Sequence, residues 1–333
     1  MSDFVRGQMG DHPRDATIDV ATHELLIDDA KQVEVKKKAA FGKYFCDTRV
    51  IGGKSECWIA TDTSNNSKVF LKVMPWPVRP NESVRETDPG KFSEAIGICE
   101  SWFQSQKQII EKVSYKSVGS GSLVIPLDFF QSNRRYVKAY PIVQDKSLSF
   151  EEASKWGPDT RKFFIRSLLL ALNELHCKGV VHSDIKRENI LVIDLPIGPI
   201  ARLIDFDDAY DADSGPHSLR GTPELFSPEV LIRQHPEMFP DAEQLPLSCS
   251  ADLFSLSLVL HEVFSKDGSL PKWNLGENDD PAIQALSGGV AQYQDLGLGA
   301  PALTDRLRRC LAVRPSDRPK ISALLSALQI NAS

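Results

Sequence analysis

The hydrophobic pattern of this chain changes character near Asp145. Before this point, short β-branched runs alternate with Gly, Asn and Ser, which is typical of strands joined by tight turns. After it, apolar residues recur at helical spacing on one face of a predicted helix: Phe164, Leu168, Ala171 and Leu175. Because the strands come first and the helices follow, we expect an α+β fold built in two parts.

Individual elements can be placed on this pattern. Strand-like runs lie at residues 49–53, 57–61, 69–74, 124–130 and 136–143. One helical pattern covers residues 92–118, and a second ends at Gly179. A third begins behind Ser250, its expected N-cap, and a fourth covers residues 321–328. We therefore predict one domain over residues 41–330, with a strand-rich part at about 41–144 and a helical part at about 145–330.

Composition narrows the classes of protein that the chain could belong to. The chain carries 39 Lys and Arg against 45 Asp and Glu, a net charge of −6, which makes nucleic acid a poor candidate partner. The six cysteines stand far apart without a CxxC pair, as is usual for thiols in a reducing compartment. No apolar run approaches the ~18 residues of a membrane helix. These features predict a soluble, cytoplasmic protein without a membrane span.

Two segments lie outside the expected core elements. Residues 1–40 mix acids, Gly and Pro, and are predicted to form an extension or a docking arm. A polar, Pro-bearing insertion begins at Pro75 and continues to about Phe103. Either segment is a candidate docking site for a partner protein, although most insertions of this kind are neutral surface.

The densest group of chemically active residues spans positions 182–192, directly after the predicted helix that ends at Gly179. It places Asp184, Lys186 and Asn189 at spacings of two and three between apolar residues. Phosphoryl transfer requires a carboxylate that aligns the attacking hydroxyl and cations that neutralise the phosphate oxygens. These three residues could be that carboxylate, a phosphate-facing cation and an oxygen ligand for magnesium. Polar residues in a surface loop are also common without any such role.

Two further groups complement this one. An apolar strand ends at Asp205, where a hairpin could return a second carboxylate beside Asn189. The alternative is an ordinary acidic turn. Lys72 lies inside an apolar strand, where it either extends from a sheet edge or anchors an anion. Gly52 and Gly53 precede it and could offer backbone N–H groups to phosphates, but paired glycines more often form a hairpin turn.

In chain order, these groups resemble the motif set of eukaryotic-type serine/threonine protein kinases. HSDIKRENIL resembles the catalytic loop, LIDFDD the metal-binding motif, and VFLK the strand with the ATP-anchoring lysine. GTPELFSPE resembles the end of an activation segment, and RPSDRP carries an arginine at the family's position. The resemblance covers residues 49–328 and implies a two-lobed, kinase-like fold with a β-rich N-lobe, a helical C-lobe and an ATP cleft between them.

The resemblance implies a role for each matched residue. The catalytic residues would be Asp184 and Lys186, and the Mg²⁺ ligands Asn189 and Asp205. The ATP-binding residues would be Ile51, Gly52, Gly53, Ser55, Ala60, Lys72 and Glu111. The supporting residues would be Thr222, Glu229, Asp252 and Arg318. The implied substrates are ATP and a protein hydroxyl, and the residue types Lys186 and Thr222 favour serine and threonine over tyrosine.

The sequence departs from the family pattern at three places. Ser183 stands where the family has an arginine that holds a phosphorylated activation loop. We therefore predict activity without activation-loop phosphorylation. Asp207 replaces the motif glycine, which restricts the backbone and adds a carboxylate. The phosphate loop keeps only two glycines, with Ser55 at the place of the third, which bears on ATP affinity.

The helix residue that would pair with Lys72 is ambiguous. The distance to the following strand favours Glu111, because loop length is a rigid constraint in a compact lobe. Hydrophobic character favours Gln106 instead, which would leave no ion pair, and Glu100 is a more distant alternative. We prefer Glu111 at this stage.

Two other functions are compatible with parts of the sequence. A pseudokinase would keep the fold and bind partners without turnover, which the thin glycine loop favours and the intact polar residues oppose. A small-molecule phosphotransferase of the aminoglycoside or choline kinase type would share the two metal-ligand motifs. Those enzymes lack the GTPE…SPE segment, so Glu229 and Arg318 argue against them.

Overall fold

A computed structural model gives the architecture of the chain. It describes residues 23–27, 33–37, 39–50, 55–114, 121–143, 146–216, 218–275 and 280–328. The chain divides into two compact units, the first formed by Met1–Lys107 with Pro126–Val143 and the second by Gln108–Ile125 with Gln144–Ser333. The expected boundary lies one residue from the division after Val143, whereas residues 108–125 group with the second unit rather than the first.

Unit 1 is built on an antiparallel sheet of short strands rich in β-branched and aromatic residues. Its strands, with a separate N-terminal hairpin of β1 and β2, are β1 His23–Ile27, β2 Val33–Lys37, β3 Ala40–Phe41, β4 Tyr44–Val50, β5 Glu56–Asp62, β6 Ser67–Val73, β7 Asp128–Ser132 and β8 Arg135–Pro141. The sheet has the order β3-β4-β5-β6-β8-β7. Val69, Leu71 and Val73 of β6 point to one face, where they form the apolar core of this unit. The alternate residues of β6 therefore point to the other face.

Two helices follow β6, namely α1 Glu82–Thr87 and α2 Pro89–Ser114. The buried residues of α2 step by three and four along one face of the helix: Cys99, Trp102, Gln106, Ile109 and Val113. Trp102 packs at 5.8 Å from Phe129 and at 5.4 Å from Tyr136, measured between ring centroids. Most of the expected insertion is thus the N-terminal part of one continuous helix.

Unit 2 is mainly helical. Its helices are α3 Phe150–Ala153, α4 Pro158–His176, α5 Pro228–Gln234, α6 Ser250–Phe264, α7 Pro281–Leu286, α8 Pro301–Arg309 and α9 Ile321–Ala327. The four residues predicted to share a face of α4 are all buried, and they join residues of α6, such as Phe254 and Leu258, in one apolar core. This core holds α4 and α6 in place. It therefore also positions the loops at the ends of these two helices.

Short strands and 3₁₀ turns complete unit 2. The strands are β9 Lys146–Ser147, β10 Val180–Val181, β11 Ile190–Leu195, β12 Gly198–Leu203, β13 Tyr210–Asp211, β14 Lys272–Trp273 and β15 Ala291–Gln292, and the 3₁₀ turns are Arg187–Asn189, Pro223–Leu225 and Pro315–Asp317. The hairpin of β11 and β12 pairs Ile190 with Leu203 at its open end. Within the part of the chain that the structure describes, every helix is too short or too polar to span a lipid bilayer.

Some predicted boundaries are wrong in detail. Helix α6 begins at Ser250, but its N-cap is Cys249, and Ser250 is the first helical residue. The strand expected from residue 124 begins only at Asp128. The helix expected over residues 92–118 starts earlier, at Pro89, because Pro is favourable in the first turn of a helix, where its missing N–H has no intrahelical acceptor. The mixed content is as predicted, with a sheet in the N-terminal region and helices in the C-terminal region.

Candidate active site

Asp184 lies in the loop that follows β10, and its carboxylate contacts three other side chains. Its side chain is buried, and Oδ1 accepts a hydrogen bond of 2.8 Å from the Thr222 hydroxyl. Oδ2 accepts one of 2.9 Å from Asn189 Nδ2 and lies 2.6 Å from Lys186 Nζ. These bonds fix the direction of the carboxylate. A carboxylate held in this way beside an ammonium group is suited to align a hydroxyl group.

Asn189 lies at the start of β11, where the 3₁₀ turn Arg187–Asn189 ends. Its Nδ2 also donates to the main-chain oxygen of Asp184, at 2.8 Å, so the amide orientation is set by two bonds from one nitrogen. The oxygen Oδ1 is the amide atom that remains for other ligands.

The β11–β12 hairpin returns the chain to Asn189. The backbone N–H of Ile204 donates to the Asn189 carbonyl at 3.1 Å, which places Asp205 directly beyond it. Asp205 has a left-handed backbone (φ 66°), a conformation that is rare for residues with a side chain and that clusters at functional sites. An amide oxygen and a carboxylate are hard oxygen donors, so the residues present fit Mg²⁺.

Asp252 of α6 holds the same loop from behind. Its Oδ2 accepts the backbone N–H of His182 at 2.8 Å, and its Oδ1 accepts that of Ser183, also at 2.8 Å. His176 Nε2 lies 2.8 Å from Oδ2 as well. Ser183 has a left-handed backbone (φ 69°), and the carboxylate stabilises this turn by binding both N–H groups. Asp252 therefore has the supporting contacts that the sequence predicted for it.

His182 connects this loop to the segment after β12. Its side chain is fully buried, and Nε2 lies 3.0 Å from the Ile204 carbonyl. The ring of Phe206 is buried too, and its centroid lies 5.2 Å from that of His182. The two aromatic rings fix the backbone on both sides of Asp205. The sequence interpretation assigned no role to His182, and its position two residues before Asp184 was the available signal.

The segment 219–225 lies against the loop of Asp184. The Thr222 hydroxyl bonds to Asp184, and Lys186 Nζ lies 3.4 Å from the same hydroxyl. Gly221 has φ 137°, and a Cβ added there would lie 2.7 Å from the Ser183 carbonyl oxygen. Only glycine fits this approach without a shift of the backbone. The sequence predicted Thr222 as a supporting residue, but it did not predict that the Thr222 hydroxyl bonds directly to the Asp184 carboxylate.

Asp208 lies near three other carboxylates, those of Asp207, Asp184 and Asp205. Burial and the negative charge of Asp207 together raise the pKa of Asp208 to about 6. Asp184 and Asp205 act in the same direction, while the Arg220 guanidinium lowers the pKa. Such a concentration of negative charge favours the binding of a cation.

Glu229 and Arg318 form a fully buried ion pair, as the sequence predicted. Both guanidinium nitrogens Nη1 and Nη2 lie 2.6 Å from a carboxylate oxygen of Glu229. The remaining N–H groups of Arg318 donate to three main-chain carbonyls, those of Ala312, Val313 and Ser250. All five donors are therefore satisfied, which is what a buried guanidinium requires.

The candidate nucleotide lysine lies in unit 1. Lys72 is half-buried in β6 and is paired in register with Cys57 of β5. Ala60 pairs with Val69, and both belong to the apolar core on the opposite face of the sheet. The prediction that Ala60 contacts the nucleotide beside Lys72 is therefore wrong, because residues separated by an odd number of positions along β5 point to opposite faces. Ser55 is half-buried, while Ile51, Gly52 and Gly53 lie outside the described residues.

The preferred helix residue, Glu111, is exposed on α2. Gln106 is the buried polar residue on this helix, with 3% of its surface exposed, and its Oε1 accepts a bond of 2.8 Å from Lys138 Nζ. Gln106, the alternative chosen by hydrophobic character, thus lies on the same buried face as Ile109 and Val113. Lys138 was not among the predicted site residues, and a lysine inside the apolar strand YVKAY was the signal that pointed to it.

Comparison with known proteins gives a match that begins after Lys72 and covers the rest of the site. The family model described as the protein kinase domain matches residues 99–328, which is more than half of the chain. The match includes the loop of Asp184, the hairpin that leads to Asp205 and the buried pair of Glu229 and Arg318.

Individual relatives are protein kinases. Death-associated protein kinase 2 of Mus musculus is 33% identical over 128 residues, which is 37% of this chain and 29% of the relative. Ribosomal protein S6 kinase alpha-6 of Danio rerio is 30% identical over 213 residues, or 63% of this chain and 24% of the relative. Human serine/threonine-protein kinase D2 is 30% identical over 169 residues, 50% of this chain and 17% of the relative. The chain thus matches less than a third of the length of each of these relatives.

Proposed function

The chain belongs to the protein kinase domain family, and we propose that it transfers the γ-phosphoryl group of ATP to serine or threonine hydroxyls of a protein. The observation that carries this proposal is the coordination of Asp184, whose two carboxylate oxygens are held by Thr222, Asn189 and Lys186. Relatives named as serine/threonine-protein kinases support the choice of acceptor.

In this mechanism Asp184 aligns the acceptor hydroxyl and takes up its proton late in the transfer. Oδ2 already accepts from two donors, Asn189 and Lys186. The acceptor hydroxyl therefore binds at Oδ1, where it replaces the hydroxyl of Thr222. Lys186 Nζ, 2.6 Å from Asp184, supplies positive charge to the transferring phosphoryl group.

Other residues orient the nucleotide. Lys72 would bind the α- and β-phosphates, and Asn189 and Asp205 would hold Mg²⁺. When bound, Mg²⁺ neutralises negative charge on the phosphate oxygens. The two hydrogen bonds from Asn189 Nδ2 keep Oδ1 oriented for this task, and the Asp252 contacts keep the catalytic loop from shifting.

We also propose that activity does not require phosphorylation of the activation segment. Ser183 replaces the arginine that would bind a phosphate, and the segment is already attached to the catalytic loop through Thr222 and Gly221. Phosphatase treatment of active protein should leave its rate of ATP turnover unchanged. Loss of turnover after this treatment would contradict the proposal. The six cysteines are free thiols, which is compatible with a protein that functions in the cytoplasm.

The direct test is incubation of the purified chain with γ-labelled ATP, Mg²⁺ and a generic protein substrate, followed by identification of the labelled amino acid. Phosphoserine or phosphothreonine is expected. Phosphotyrosine would contradict the assigned acceptor, and ATP binding without any transfer would identify a pseudokinase. Transfer to a small alcohol but not to protein would identify a small-molecule phosphotransferase, an outcome that the buried pair of Glu229 and Arg318 disfavours.

A further inference from the structure

Lys138 is a fully buried lysine in the middle of β8. Its ammonium group donates to Gln106 Oε1 at 2.8 Å and lies 5.3 Å from the centroid of the Phe129 ring. Both neighbours are attractive to a cation, the first through a charge-assisted hydrogen bond and the second through the negative face of the ring. The bond to Gln106 joins the sheet of unit 1 to helix α2.

The strand register places Lys138 beside the candidate nucleotide lysine. Lys72 of β6 and Lys138 of β8 are direct partners across the two strands, so their side chains leave the same face of the sheet. Cβ atoms of such partners lie about 5 Å apart, and like charges at this spacing are unfavourable. An uncharged residue at position 138 would remove this like-charged neighbour of Lys72.

Burial of a charged side chain is by itself weak evidence of a structural role. At a position that only packed the core, Met or Leu would fill the same space without desolvation of an ammonium group. The geometry of Lys138 instead does something that an apolar residue could not do. It binds one named atom of α2, Gln106 Oε1, and so fixes the axial position and rotation of the helix against the sheet.

We propose that Lys138 is a positioning residue for phosphoryl transfer, which fixes α2 through Gln106 on the sheet face that carries Lys72. The inference rests on the proposed function, since it assigns Lys72 to the nucleotide phosphates. The sequence pointed to Lys72 as the lysine that contacts this helix, whereas the bond to Gln106 comes from Lys138.

The test compares kinetics with stability in the full chain. The double variant Lys138→Met/Gln106→Met removes both polar partners and leaves an apolar pair of similar size. We expect kcat to fall about a hundredfold, as for a modest displacement of an active-site element. The KM for the protein substrate and the urea midpoint of unfolding should stay at or above the wild-type values. Gln106→Glu keeps an acceptor for Lys138 and should retain wild-type kcat within a few fold.

Lys107→Met is the matched control, because Lys107 lies on the same helix with its ammonium group 4.5 Å from the Phe103 ring and not on the buried face. This variant should leave kcat unchanged. The inference is overturned if the double variant keeps wild-type kcat, or if kcat and the unfolding midpoint fall together, which is the result for a purely structural residue.

Amide hydrogen exchange separates this inference from the proposed function, because it requires no turnover. Amides between Cys99 and Lys107 of α2 should exchange faster in the double variant than in the wild type, whereas those of α4 should not change. Equal exchange along α2 in the two proteins overturns the positioning role. A wild-type chain that transfers no phosphate would refute the proposed function alone, and the exchange rates would still decide the role of Lys138.

Discussion

Two buried cations in this protein have different surroundings. Arg318, in unit 2, is paired with the Glu229 carboxylate through two bonds of 2.6 Å, and main-chain carbonyls take its other donors. Lys138, in unit 1, donates to the uncharged amide oxygen of Gln106. The bonds described here thus join Arg318 to a carboxylate and Lys138 to a neutral amide. The contacts of Arg318 fit a structural role, whereas the proposal above assigns Lys138 to the positioning of α2.

The strongest way to break this comparison is Arg318→Met. The substitution leaves the Glu229 carboxylate buried without a cation, and we expect unit 2 to lose about 3–5 kcal/mol of unfolding free energy. Urea unfolding followed by circular dichroism measures the loss. Arg314→Met is the control, since the Arg314 side chain is 58% exposed and pairs with Glu243 at the surface. Its effect should stay below about 1 kcal/mol. Equal losses in the two variants would contradict the structural role of the buried pair.

A smaller effect is expected at Gly221, where the activation segment approaches the catalytic loop. A methyl group there would lie 2.7 Å from the Ser183 carbonyl oxygen, and the backbone is in a region that favours glycine. We expect Gly221→Ala to cost about 1–3 kcal/mol of stability and to lower phosphoryl transfer. Gly215→Ala separates backbone strain from close contact, because Gly215 has φ 72° but open space around it. If both variants retain full transfer, the contact does not position the segment.

The smallest effect concerns a buried group that is held neutral. Burial lowers the pKa of His261 below its usual value of 6.5, and hydrogen bonding to the Ser269 carbonyl opposes this only in part. Its Nδ1 lies 2.8 Å from the Ser269 carbonyl, and its Nε2 accepts the Gln294 backbone N–H at 3.1 Å. A proton on Nε2 would therefore face another donor.

Below the unfolded pKa of 6.5, the unfolded chain binds more protons at this residue than the folded chain. The stability that His261 contributes is therefore present above this pH and is lost as the pH falls. The thermal unfolding temperature of the wild type should fall as the pH is lowered from neutral to mildly acidic values. In His261→Gln this temperature should fall less steeply with pH. An identical slope in wild type and variant would contradict the assignment. His235→Gln, at a half-exposed pair with Glu237, should keep the wild-type slope.

The catalytic loop could be predicted from the sequence because its chemistry is local. Asp184 and Asn189 occur within six residues of each other, so their spacing determines which groups meet. The pair of Glu229 and Arg318 is distant in sequence, and it could be predicted only from the resemblance to kinases.

The polar residues of unit 1 could not be predicted in the same way. The choice between Glu111 and Gln106 depends on the rotation of one helix, which loop length does not determine; the structure buries Gln106 and leaves Glu111 exposed. Ala60 was expected on the wrong face of the sheet, because a shift of one residue along a strand reverses the face to which the side chains point. Lys138 meets Gln106 only through the packing of α2 on the sheet, for which no sequence motif exists.

The central claim is that Asp184 carries phosphoryl transfer, and Asp184→Asn tests it most directly. Asn keeps the shape of the side chain and can still accept the Thr222 hydroxyl, so the fold should be maintained. With γ-labelled ATP and a protein substrate, we expect kcat to fall about a thousandfold through loss of the proton acceptor. Asp194→Asn, at an exposed position of β11, should keep the wild-type rate. A wild-type rate in Asp184→Asn would contradict the account.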